Sequence, residues 1–237
     1  MRISIMQPYF FPYVGYFSLI KHTDKFILLD EVQYIRHGWI ERNRILKQSG
    51  GWIYIRVPIK KNNGRDTLIK NIKIDNKQNW KEKIFAQLQH YKKKAKYYSS
   101  VIKLLENIFE DEYEDIVSLN KVALESVCAY LGIEAQIHVF STMNLCIKKA
   151  KAPDEWALNI CKEMGNVNEY WNPEGGVHFF DTSKYSRNGI DIRFIKLNEV
   201  QYSQNTGRFE GNLSIIDALM FNDVKSINQM IDGYYFL

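Results

Sequence analysis

The opening thirty residues constrain this chain more than any other stretch of it. Arg2–Met6 is short and apolar and stops at Gln7-Pro8. A run of that kind, bounded by turn residues, predicts a buried strand. Gly15–Lys21 carries Phe17 and Ile20 on one helical face, and Lys25–Leu29 is a second apolar run closed by Asp30. Strand, helix and strand this close together make a βαβ unit, which demands a parallel pair and a right-handed crossover. A parallel sheet is covered on both faces, so the rest of the chain has to supply helices.

The remainder does supply them. Glu31–Arg44 is a polar, aromatic segment. Trp52–Pro58 and Leu68–Ile74 each alternate like a strand, with the polar, Gly-containing turn Lys60–Arg65 between them, so the pair reads as a β-hairpin. Trp80, Ile84, Leu88 and Tyr91 recur at helical spacing, as do Val101, Leu104, Leu105 and Ile108. Ile116–Leu131 is a longer helix stopped by Gly132. Strand and helix then alternate again. Gln136–Phe140 reads as a strand, Pro153–Met164 as a helix with proline near its first turn, Glu169–Trp171 as a short strand and Ile190–Leu197 as another. Ser214–Phe221 reads as a helix capped by Asn212 or Ser214. The expectation is one α/β domain over residues 1–237, with a mainly parallel, Rossmann-like sheet and a helical or mixed insert of hairpin and helices at about 60–115.

Composition narrows the partners. The 46% hydrophobic and 25% charged content is ordinary for a globular chain and is enough for a substantial core. A net charge of +5, from 32 basic and 27 acidic residues, suits an anionic small ligand without demanding one. The densest basic run, Lys92-Lys93-Lys94 with Lys96, ends an amphipathic helix and reads as a solvated face, so no nucleic-acid partner is expected. Cys128, Cys146 and Cys161 are odd in number and irregularly spaced, which argues against a disulfide framework. His22, His37, His90, His138 and His178 show no zinc spacing, so no metal is expected, and nothing points to a particular cofactor. Met1–Met6 is too short for the apolar core of a signal peptide, and no apolar stretch approaches the ~18–20 residues of a membrane span. The expected location is the reducing cytoplasm.

Four constellations carry candidate chemistry. Gln7-Pro8-Tyr9-Phe10-Phe11-Pro12 and the following Tyr13-Val14-Gly15-Tyr16 fall at the carboxyl end of the first strand, where open α/β sheets bind ligands. There Gln7 offers donors and an acceptor for a sugar or base, Tyr9 an aromatic face with a hydroxyl, and the helix start its unpaired N–H groups; a packed aromatic loop is the alternative. Leu29-Asp30-Glu31-Val32-Gln33-Tyr34 ends the second strand. Asp30 is a candidate base or hydroxyl ligand, with Gln33 and Tyr34 beside it, or else a strand-end cap. In Gly38-Trp39-Ile40-Glu41-Arg42-Asn43-Arg44, Arg42, Asn43 and Arg44 either clamp a phosphate or carboxylate or pair with Asp30 and Glu31. Gly175 and Gly176 allow close backbone approach, and His178 behind them is either a general base or structural. Asp217 sits near a helix start, where an acid suits the dipole, and reads as structural.

Taken together, Gln7-Pro8-Tyr9-Phe10-Phe11-Pro12, Asp30-Glu31-Val32-Gln33-Tyr34, and Trp39 with Arg42-Asn43-Arg44 resemble the WbqC-like family. Tyr170-Trp171-Asn172-Pro173-Glu174-Gly175-Gly176, Gln201-Tyr202-Ser203-Gln204 and Leu213-Ser214-Ile215-Ile216-Asp217 extend the resemblance in order along nearly the whole chain. Glu41 departs from it, standing where an amide or other polar residue is expected. The opening also resembles nucleotidylyltransferase-type folds, but Tyr16 replaces the histidine those carry after glycine, which argues against nucleotidyl transfer. The WbqC-like resemblance implies a role in O-antigen or other surface-polysaccharide biosynthesis. With the polar site and mild basicity it points to a transferase that adds an acyl or aminoacyl group to a nucleotide-linked amino sugar. Glycosyl transfer, which lacks an Asp-x-Asp motif here, and non-catalytic binding of a nucleotide sugar are the alternatives. The expected partner is a nucleotide-linked sugar or another phosphate-bearing small molecule.

Overall fold

The structure, a computed structural model, describes residues 1–60, 66–205 and 207–237. Its centre is the βαβ unit read from the sequence: β1 (Arg2–Met6), α1 (Val14–His22) and β2 (Lys25–Leu28), with β1 and β2 parallel. β5 (Ile137–Val139) joins β2 in parallel on one side. On the other side β6 (Glu169–Pro173) and β7 (Asp191–Leu197) run parallel to β1, and β8 (Tyr234–Phe236) closes that edge antiparallel. The strand order is β5-β2-β1-β6-β7-β8, an α/β fold with a mostly parallel sheet.

Alternation along the strands divides the core. Ile3, Ile5, Ile27 and Tyr170 face a smaller cluster with α5 (Glu155–Met164) and Tyr185 of α6 (Thr182–Ser186). Phe26, Leu28, Trp171 and Ile195 face the larger cluster, built by α1, α2 (Trp80–Leu88), α3 (Tyr98–Glu110), α4 (Ile116–Leu131), α7 (Ile215–Phe221) and α8 (Val224–Asp232). α4 ends as its sequence dictates: the Asp115 carboxylate accepts from Ser118 N, and Gly132 takes the left-handed conformation that ends the helix. Among the described residues no helix is long and apolar enough to cross a membrane.

The hairpin differs from the expectation. Trp52–Arg56 is a strand, β4, but its partner is β3 (Arg42–Leu46), not Leu68–Ile74. Leu68–Ile74 instead forms a 3-10 turn at Ile69–Asn71, flanked by isolated bridges from Leu68 to Gln33 and from Ile74 to Ile59. The expected turn lies, from Lys61 to Arg65, outside the described residues. β3 is hard to recognise because its outer positions are arginines. Arg42 lies over the Tyr54 ring at 4.0 Å, and Arg44 lies 5.2 Å from the Trp52 ring and 5.3 Å from that of Trp39. The guanidiniums thus pack as flat surfaces while Asn43, Ile45 and Ile55 turn inward.

Candidate functional site

The sheet reverses direction of growth between β1 and β6, and crevices form at the carboxyl ends of strands on either side of such a point. β1 and β6 are in register from Arg2–Glu169 to Ser4–Trp171, so Gln7 and Glu174 leave the sheet at the same level. A cleft of about 390 Å³ opens there, walled by Tyr13, Val14 and Gly15 at the start of α1. Glu174 after β6, Asn198 and Glu199 after β7, and Tyr202, Phe209 and Asn212 of the following loop complete it. It presents aromatic faces, two amides and two carboxylates. The Glu174 carboxylate pairs with Lys196 at 2.8 Å. Burial, the Glu174 charge and nearby Tyr9 raise the Tyr13 hydroxyl above the usual phenol range, so Tyr13 stays a neutral donor.

Gly15 shapes this wall. A β-carbon there would stand 2.4 Å from Cε2 of the Tyr13 ring, which lies across the helix start. Gly15→Ala is expected to push that ring off the cleft wall and weaken ligand binding several-fold. The thermal midpoint should hold or rise slightly, since alanine favours helix by about 0.5–1 kcal/mol over glycine. Unchanged binding of a nucleotide sugar by the variant would show that Tyr13 is not part of the site.

The loop ahead of the cleft is pinned from outside. The Tyr16 hydroxyl donates to Gln7 O at 2.6 Å, and Asn120 Nδ2 donates to Pro8 O at 2.7 Å and Ile40 O at 2.9 Å. Asn43 Nδ2 donates to Phe10 O at 3.0 Å and Phe11 O at 2.9 Å, while its Oδ1 accepts from Arg44 N. Ser214 Oγ donates to Phe11 O and Ile215 N to Pro12 O, both at 2.8 Å. Prolines remove two N–H groups from the loop, and side chains of remote elements satisfy its carbonyls. Phe10 and Phe11 are core residues, with Phe11 held at φ 41°.

The remaining sequence candidates fall into separate places. Asn43 has both amide protons committed to the loop. Arg44 donates to Asn212 O at 3.1 Å and so braces the lip of the cleft. Arg42 donates to the carbonyls of His37 and Gly38 and holds that turn instead. The buried Asp30 carboxylate accepts from Ser141 N at 3.0 Å and Ser141 Oγ at 2.6 Å, tying the end of β2 to the turn after β5. Tyr34 is buried and Gln33 exposed in the strand-end segment beyond it. Tyr9 is half-buried, its ring 5.7 Å from that of Tyr16. Gly176 is buried with Asn172 Oδ1 2.2 Å from where a β-carbon would sit, whereas Gly175 has open space around it. His178 is exposed. Among the described residues no three His, Cys, Asp or Glu side chains gather as a metal site.

Sequence reasoning passed over Glu199, Tyr202 and Phe209, although Gln201-Tyr202-Ser203-Gln204 had been marked as a motif. Asp217, read as structural, is so through more than its place near a helix start. Asp217 is fully buried and accepts from Tyr91 Oη at 2.5 Å, Tyr202 Oη at 2.7 Å and Gln204 Nε2 at 2.8 Å. The Tyr91 hydroxyl accepts in turn from Leu46 N at 2.9 Å, and Gln204 clasps Glu210 through both its N–H and C=O. One carboxylate therefore anchors the cleft-lining loop to α7 and β3.

Fold and cleft together define the class: an α/β protein with a mostly parallel sheet and a polar, aromatic cleft at the carboxyl edge of its reversal point. The model of the WbqC-like protein family matches residues 7–229, and the chain belongs to that family. It is similar to the uncharacterized protein Rv1507c of Mycobacterium tuberculosis, with 28% identity over 223 residues that cover 93% of each chain. No solved structure matches.

Proposed function

We propose that this chain binds a nucleotide-linked amino sugar in the cleft between α1 and the ends of β6 and β7, and transfers an acyl or aminoacyl group to its amine, in surface-polysaccharide biosynthesis. The lining of the cleft supports this reading: aromatic rings to lie against a sugar, amides for its hydroxyls and carboxylates for its amine. In it the diphosphate lies toward the start of α1 and Arg44. The amine nitrogen forms the new bond to the acyl carbon, the bond to the donor's leaving group breaks, and the amine proton passes to Glu199.

The test is mass spectrometry of the chain incubated with nucleotide-linked amino sugars and activated acyl or aminoacyl donors, with binding measured in parallel. The expected result is a product heavier by the acyl group, with turnover lowered ~10²–10⁴-fold in Glu199→Gln, the range of a lost general base. Asp30→Asn and His178→Ala, run beside it, decide between Glu199 and the bases first marked in the sequence. Binding without turnover across the donor panel would reduce the reading to nucleotide-sugar binding, and no binding would overturn it.

A further inference from the structure

A second cleft, of about 570 Å³, shares no lining residue with the first among the described residues. It lies between the turn carrying Arg36 and His37 and the outgoing end of β4, and Tyr34, Glu41, Arg56, Lys60 and Gln78 complete its polar lining. The chain invests in this geometry. His37 adopts φ 64°, a left-handed conformation that costs a side-chain-bearing residue roughly 1–2 kcal/mol. Arg42, stacked on Tyr54, holds the turn by donating to the carbonyls of His37 and Gly38. Val57 N donates to Glu41 O at 2.8 Å, so the backbone of Glu41 is fixed as well.

Two observations mark this cleft as built for a ligand. Glu41 is only 4% exposed, and its Oε2 has no hydrogen-bond partner among the described residues. The Tyr34 hydroxyl already serves this carboxylate, but a buried carboxylate oxygen left without a donor is costly, so a further donor belongs at Oε2. Secondly, Arg36 and Arg56 line the same cleft, and among the described residues neither has a carboxylate within ion-pair distance. Among the described residues of the lining, Arg36 and Arg56 alone set two permanent positive charges against the one carboxylate of Glu41. A zwitterion would leave that excess in place, whereas a phosphate monoester would offset it.

We propose that this cleft is a second binding site, for a small phosphorylated polyol of the sugar-phosphate class. Arg36 and Arg56 take the phosphate, and Glu41 accepts a hydrogen bond from a hydroxyl of the same molecule. A guanidinium meets phosphate oxygens through two parallel donors, which makes arginine the fitting residue for the first role.

The experiment is calorimetric titration of the intact chain, at low ionic strength, with three probes: a hexose 6-phosphate, inorganic phosphate and glycine. The hexose phosphate is expected to bind most tightly, and Arg36→Gln and Arg56→Gln, both at exposed positions, should each weaken it tenfold or more. Glu41→Gln separates the roles. It should weaken the hexose phosphate relative to inorganic phosphate, because both lose the same repelling charge while only the hydroxyl loses its charged acceptor. Thermal melting of each variant checks the fold. Tighter binding of glycine, equal binding of hexose phosphate and inorganic phosphate, or arginine variants that fold and bind like wild type would each overturn the proposal.

Discussion

Asp217→Ala is expected to lower the stability of the folded chain by about 3–5 kcal/mol, because it strands three donors in a buried site. For a chain of this size that corresponds to a fall of roughly 10 °C in thermal midpoint. Asp217→Asn should cost less, since the amide keeps one acceptor oxygen, although its own N–H group then faces one of the three donors. The asparagine variant also isolates a pH effect. Burial raises the folded pKa of Asp217 above the ordinary carboxylate value, against the pull of Tyr91, Tyr202 and Gln204. The folded state then holds this proton more tightly than the unfolded state does. Stability therefore falls as pH rises from the ordinary carboxylate range through the folded pKa, and is level above it. Asparagine has no proton to lose, so its deficit relative to wild type should be greatest at low pH and narrow as pH rises. Denaturation series across pH would show this, and a deficit that widens with pH would mean that the three donors outweigh burial.

The second large effect concerns the pinned loop. Asn43→Ala removes the donors to Phe10 O and Phe11 O, and Asn120→Ala those to Pro8 O and Ile40 O. Each substitution is expected to cost about 2–4 kcal/mol, from buried carbonyls left unpaired. The two are not independent, because they brace the same few residues. Once one is lost the loop can relax toward water, so the double variant should lose less than the sum, by roughly 0.5–3 kcal/mol. Additivity within a few tenths of a kcal/mol in chemical denaturation would show that the two asparagines hold separate units.

Much of the fold was legible because its signals are local. The apolar runs of β1 and β2 and the stop of α4 at Gly132 follow from short-range rules. α8 was missed although Ile227 and Ile231 stand four apart behind an Asp223 cap. The β3–β4 pairing was not legible, because Arg42 and Arg44 look like solvent-facing charge and only the facing aromatic rings turn them into packing surfaces. Of the residues that line the cleft, the sequence motifs mark the start of α1 at Tyr13-Val14-Gly15 and parts of later motifs, whereas Gln7, Asp30, Gln33, Arg42 and Gly176 do not line it. The reversal of the sheet beside Gln7 and Glu174 could be anticipated from βαβ logic. That Asn43 would hold the Gln7–Pro12 loop, or that the irregular stretch after β7 would form a wall, depends on contacts between distant segments that no periodicity encodes.

Because Ser214 and Ile215 hold the carbonyls of Phe11 and Pro12, that loop cannot settle until a segment far along the chain has been made. The bond from Ser214 to Phe11 joins residues 203 apart, and β1 likewise waits for β6. Contacts so distant along a chain form slowly, since the intervening segment must be gathered in first. Until that segment arrives, Phe10 and Phe11 therefore stand outside any finished core. In the growing chain, the loop that later borders the cleft is an aromatic hook, open to chaperones and to the same loop on a neighbouring nascent chain.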